Sequence, residues 1–196
     1  FPVGAVSTGT GVATNGITSE AILNPDDSSL LQMQFIDGHL VSALNTALTV
    51  GSDPVVRDGV AWFDVNARMG TIADQGFVAS AGNYLLYPAI LRNHEGTTVM
   101  TFSITSATLN PSAAFVVRDR HAAGFGNVQI AAMGGGPHLS FSDTLARGAR
   151  PRWGDYSAAA FGLNGHDFWL ATEYIDANHP APFDNWATRV FEVSGD

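Results

Sequence analysis

Apolar residues fall along this chain in runs of about five to eight, each bounded by Gly, Pro, Asn or Asp, and helical spacing is scarce. Short bounded runs of this kind predict strands. They are Leu30 to Ile36, His39 to Leu48, Val60 to Val65, Tyr84 to Leu91, Thr97 to Thr105, Ala113 to Val117, Ser157 to Phe161, Asp167 to Tyr174 and Thr188 to Val193. Val41 to Leu48 also admits a helix, but a strand suits its neighbours better. Asp37-Gly38 and Asn164-Gly165 are dipeptides favoured in two-residue hairpins, where both turn residues must tolerate φ > 0.

The runs repeat. Tyr84 to Ile90, then Gly96, then Thr98 to Ser103 align without a gap on Trp153 to Ala159, Gly165, and Asp167 to Thr172, so that Tyr87 meets Tyr156. An earlier copy places Gly38 on the same turn, and its Trp62-Phe63-Asp64-Val65 matches Val190-Phe191-Glu192-Val193. Ile72-Ala73 and Ile130-Ala131 recur in the connecting segments. The predicted architecture is all-β: about three four-stranded antiparallel blades, at 30–79, 84–131 and 152–193, forming part of a β-propeller. A β-sandwich, which shows no such period, is the alternative all-β architecture. Residues 1–29 form a Gly/Thr/Ser-rich lead able to supply a closing strand. A propeller needs roughly four to eight blades, so three imply completion by another chain or by a symmetry copy.

Composition narrows the function classes. The chain has 196 residues, 45% of them hydrophobic and 14% charged, which suits a folded core and excludes a disordered chain. All basic residues are Arg, none is Lys, and the formal net charge of −9 excludes a nucleic-acid footprint or an anionic membrane surface. Mean hydropathy is +0.09 and no apolar run approaches the roughly 20 residues of a spanning helix, so membrane insertion is not expected. Opening at Phe1, with no charged and apolar leader, predicts a processed protein that is secreted or held at the cell surface. Zero Cys excludes disulfides, thiol nucleophiles and Cys-ligated zinc.

The third copy is the most distinctive: Arg152-Trp153-Gly154-Asp155-Tyr156-Ser157, then Phe168 to Tyr174, then Asn185-Trp186-Ala187-Thr188-Arg189-Val190. It resembles the last blade of secreted bacterial β-propeller proteins of the sialidase-like (BNR or Asp-box) superfamily, many without an assigned activity, over roughly Leu30 to Val193. The resemblance implies the fold more than a reaction, because one scaffold serves unrelated tasks. Asn164 to Trp169 stands where an Asp-box turn would be, without the Ser-x-Asp-x-Gly-x-Thr-Trp spelling. Trp62, Met100, Trp169 and Trp186 are predicted to fill the wedges between blades, and Arg152 with Asp155, and Arg189 with Glu173, to tie strands together.

Chemistry is sparser. A sialidase-like enzyme needs arginines for a substrate carboxylate, a tyrosine with a glutamate base, and an acid; Arg152, Arg189, Tyr156, Glu173 and Asp155 are the right residue types. Glu173 and Tyr174 are adjacent in a strand and point to opposite faces, so they are not that nucleophile and base. None of the six histidines forms a His-Glu-x-x-His or His-x-His pattern. Calcium has hard-oxygen candidates in turns, Asn24 with Asp26 and Asp27, or Asp53 with Asp58; solvated turn carboxylates are the simpler account. Gly134-Gly135-Gly136 lacks the Lys of a phosphate loop, and no Gly-x-Ser-x-Gly elbow occurs. Two classes remain: an extracellular binding or assembly module recognising a partner chain or a glycan, and a hydrolase or lyase acting on a polymer at a channel mouth. The missing Asp-box spelling and the incomplete ring favour the first.

Overall fold

The computed structural model describes residues 8–12, 18–23, 28–138, 153–178 and 185–195. Every regular element among them is a strand. β1 (Thr8–Val12) and β2 (Thr18–Ile22) form a separate hairpin. Sheet one is the meander β3 (Met33–Ile36), β4 (His39–Leu48), β5 (Arg57–Asn66) and β6 (Thr71–Val78). Sheet two repeats it with β7 (Tyr84–Arg92), β8 (Thr98–Thr105), β9 (Ser112–Arg118) and β10 (Gln129–Ala132). Sheet three has β11 (Ala158–Phe161), β12 (Phe168–Ile175) and β13 (Trp186–Val193), three described strands where four were expected. All neighbouring strands are antiparallel.

Successive sheets pack face to face. Val41, Ala43, Val60 and Trp62 of sheet one meet Leu85, Ile90, Met100, Phe102 and Val116 of sheet two in one core. On the other side of sheet two, Ala89, Leu91 and Val99 meet Ala159, Phe168 and Leu170 of sheet three in a second. Side chains alternate across a strand, so β8 sends Met100 and Phe102 one way and Val99 the other, and all eight of its residues are buried. Met100 to Thr105 alternates apolar with hydroxyl side chains, and the hydroxyl face is buried too because Thr101 donates to the Ala114 carbonyl and Ser103 to the Glu173 carbonyl.

The turns explain where the repeat holds and where it slips. Asp37 (φ 50°) and Gly38 (φ 82°) make the expected two-residue hairpin between β3 and β4. The corresponding turn of sheet two has three residues, between Asn93 and Thr97, and that of sheet three has four, between Gly162 and Asp167. Asn164-Gly165 is therefore not a two-residue hairpin. The extra residue also moves the second strand by one: Met100 corresponds to Leu170, not to Trp169. A shift of one residue reverses the face of every side chain. Trp62 and Met100 fill a wedge as expected, but Trp169 and Trp186 lie on the outer face of sheet three, 44% and 49% exposed. The third strands do correspond as expected, since Val65 pairs with Leu40 and Val193 with Phe168. Ile72 and Ile130 both lie in fourth strands but pair at different depths, with Val65 near the hairpin end and with Ala114 in mid-strand.

Candidate functional site

The first strands of the three sheets, β3, β7 and β11, run close together, and polar side chains tie their free backbone edges. Gln34 donates from Nε2 to the Arg92 carbonyl at 3.0 Å and accepts the Arg92 N–H on Oε1 at 2.8 Å. Gln32 donates to the Ala159 carbonyl of sheet three at 3.4 Å. Such amide caps satisfy an edge strand that would otherwise present unpaired groups. Asn45 acts similarly from β4, donating to the Leu85 carbonyl at 2.7 Å and accepting the Tyr87 N–H at 2.8 Å. Just beyond Leu85 the β7 ladder slips, between Leu86 and Ala89, and Tyr87 within that slip takes a left-handed φ of 54°. Asn45 thus holds a bulge that costs backbone strain.

Against that bulge lies the segment before β11. Gly154 has φ 66°, and a Cβ there would sit 2.8 Å from the Tyr87 ring. Trp153 is buried with Leu23, Leu86, Tyr87 and Ile175, its indole edge-on to His138. The Gly154 N–H donates to Glu173, whose carboxyl is nonetheless raised above its ordinary range because burial outweighs that bond, with Asp155 adding like-charge repulsion. The structure therefore brings Asp155 and Glu173 together. Tyr156 follows them at 69% exposure, whereas Tyr87, its counterpart in the alignment, is buried. These two tyrosines do not share an environment.

Arg189 is not part of this group. It pairs with Thr172 in the ladder and so projects from the face opposite Glu173. The expected Arg189–Glu173 tie is absent for that reason. Arg152, Asp26 and Asp27 lie outside the described residues. Asp53 is committed to its own loop: one oxygen accepts the Val55 N–H at 3.0 Å, the other accepts Arg57 Nε at 2.7 Å and the Gly82 N–H at 2.9 Å. These donors hold its carboxyl far below the ordinary range. Asp58 is buried in β5. No group of three or more His, Asp or Glu suited to a metal is found among the described residues.

Other inter-sheet ties were not foreseen. Asp64 is shared by His39 and Arg92, each at 2.6 Å, clasping sheet one to sheet two. At the hairpin ends an acid of one sheet meets a histidine of the next: Asp37 with His94 at 2.9 Å, and Glu95 with His166 at 2.6 Å. A sequence signal existed for the second pair, because His94-Glu95 and His166 sit at the same turn of successive copies. A groove of about 340 Å³ between Phe77–Ser80 and Phe125–Val128 belongs to sheet one and the β9–β10 connection, not to the Asp155 region.

A scan against protein-family models finds no match, and no curated protein matches the chain.

Proposed function

We propose that the chain is an extracellular binding or assembly module, a partial β-propeller whose two outer sheet faces are covered by further blades from another polypeptide. The observation that carries this is the apolar character of both faces. Sheet one turns Met33, Phe35, Ile72 and Phe77 outward, with Phe35 65% and Phe77 68% exposed; sheet three turns Trp169, Trp186 and Val190 outward. An exposed face of several hundred Å² at about 25 cal/mol per Å² forgoes on the order of 10 kcal/mol, comparable to the whole stability of a domain. The sialidase-like resemblance supports the extracellular setting. Covalent-labelling footprinting of the native assembly tests the reading: Met33, Phe35, Trp169 and Trp186 should be protected, and labelling at the rate of free side chains would overturn it.

A second reading, a polymer-degrading hydrolase, is favoured by one arrangement, Glu173, whose carboxyl burial raises above its ordinary range, beside Asp155. Glycoside hydrolysis uses two carboxyl groups of unlike acidity. Hydrolysis of a glycan panel that disappears in both Glu173→Gln and Asp155→Asn would support this reading, and activity unchanged by either would remove it.

A further inference from the structure

Both outer faces are halves of a contact that the chain already makes twice. Counted from the first hairpin of each sheet, Val41, Ala43 and Asn45 of sheet one and Val99, Thr101 and Ser103 of sheet two hold the same positions, face the following sheet and are buried. Trp169, Ala171 and Glu173 hold those positions in sheet three. The opposite faces also correspond: Met100 and Phe102 in sheet two, and Leu170 in sheet three, are buried against the preceding sheet. In sheet one the equivalent positions are Ser42 and Leu44, on the face that carries exposed Met33, Phe35 and Phe77. One chain therefore presents a forward face at one end and a backward face at the other.

Building on the assembly reading above, we propose that the partner is a second copy of this chain, docked head to tail, with sheet three of each copy on sheet one of the other. Three features select this occupant. Two copies carry six of the larger sheets, within the roughly four to eight that close a ring, whereas three copies would exceed it. With an aromatic side chain carrying about 150–250 Å², the exposed parts of Met33, Phe35, Ile72, Phe77, Trp169, Trp186 and Val190 amount to roughly 800 Å² per chain. That is about the contribution of each partner to a standard protein interface. The faces are also compatible in shape, since Ala158, Ala160 and Ala171 leave room beside Trp169 for the large residues of sheet one.

Sedimentation of the purified chain at micromolar concentration is the test. The expected species has about twice the 20.6 kDa chain mass. Phe35→Glu and Trp169→Glu alter exposed side chains, so each variant should keep its far-ultraviolet spectrum while sedimenting as a monomer. An equimolar mixture of the two variants should recover a dimer, because one of its two contacts then carries neither substitution. A folded wild-type monomer, a trimer or filament, a dimer that survives either substitution, or a mixture that stays monomeric would each overturn the proposal. If the wild-type chain is monomeric while the footprint of the native assembly is protected, the second copy is excluded and the assembly reading stands. If the footprint is unprotected, both fall.

Discussion

In sheet two, β8 buries every side chain it has, while in sheet three the equivalent β12 leaves Trp169 wet and Glu173 half-buried. The two strands share a place in the meander and a hairpin end, so local propensity does not separate them. Neighbours do: among the described residues β8 has a packed sheet on each side and β12 on one. The composition of the outward positions follows this difference. Val99, Thr101 and Ser103 are small enough to interdigitate with a sheet already present, whereas Trp169 and Trp186 are large and exposed. Under the assembly proposal, the exposed area of sheet three is concentrated in a few large side chains, as at association surfaces.

The largest expected effect breaks the buried side of this comparison. Phe102→Ala removes a fully buried ring from the core between sheets one and two and should lower unfolding free energy by about 3–5 kcal/mol. Trp169→Ala in the dissociated chain should change it by less than about 1 kcal/mol, since exposed positions lacking a special role rarely matter more. Urea titrations of both variants check the contrast; equal losses would show that sheet three is covered on both faces within a single chain.

Gly154→Ala comes next. It forces an alanine into a left-handed conformation and sets its methyl against the Tyr87 ring, which should cost about 2–3 kcal/mol. Asn45→Ala follows at about 1–2 kcal/mol, because the Leu85 carbonyl and the Tyr87 N–H lose their partner in a buried place. Ser103→Ala, at the same position in sheet two, loses a bond to the Glu173 carbonyl and a longer one to the Thr172 hydroxyl, neither of which holds a bulge, and should cost less than Asn45→Ala. A reversed order would mean that the β7 bulge does not depend on Asn45.

Much of the sheet architecture was legible in the chain because its strands are short, bounded and repeated: His39–Leu48 was read to the residue, and the hairpins at Gly38, Gly96 and Gly165 all use positive φ. Register was less legible. Whether a turn holds two, three or four residues depends on backbone geometry that Asn164-Gly165 does not specify, and one residue was enough to turn Trp169 outward. The site divided in the same way. Asp155 and Glu173 come together because the start of a sheet's first strand lies beside the end of its second, which the repeat implied. Gln32, Gln34 and Asn45 act between sheets, and no local pattern marks which amide will meet which free edge.

The smallest predicted effect distinguishes position 173 from its counterparts, since Asn45 and Ser103 cannot ionise and Glu173 can. Its carboxyl is raised above the ordinary value of 4.5, chiefly by burial and further by Asp155. Between that value and its higher folded value the native chain keeps a proton that the unfolded chain has released. Stability from this group is therefore full at low pH and declines as pH rises through the window. Glu173→Gln should flatten that decline and raise the urea midpoint at pH 7 slightly, the effect being limited by solvent screening of a half-buried group. Asp167 works in the opposite sense: its carboxyl, lowered by Asn164 and by the Gly195 N–H, contributes stability above 3.8 that is lost as pH falls through its depressed value. Asp167→Asn should thus weaken the chain at pH 7, and by less as the pH falls below 3.8. If a second copy covers sheet three, Glu173 loses more water in the dimer than in the monomeric Phe35→Glu variant. Dimerisation should then weaken as the pH rises above 4.5 in the wild-type chain and not in Glu173→Gln, and sedimentation across that rise separates a covered face from an open one.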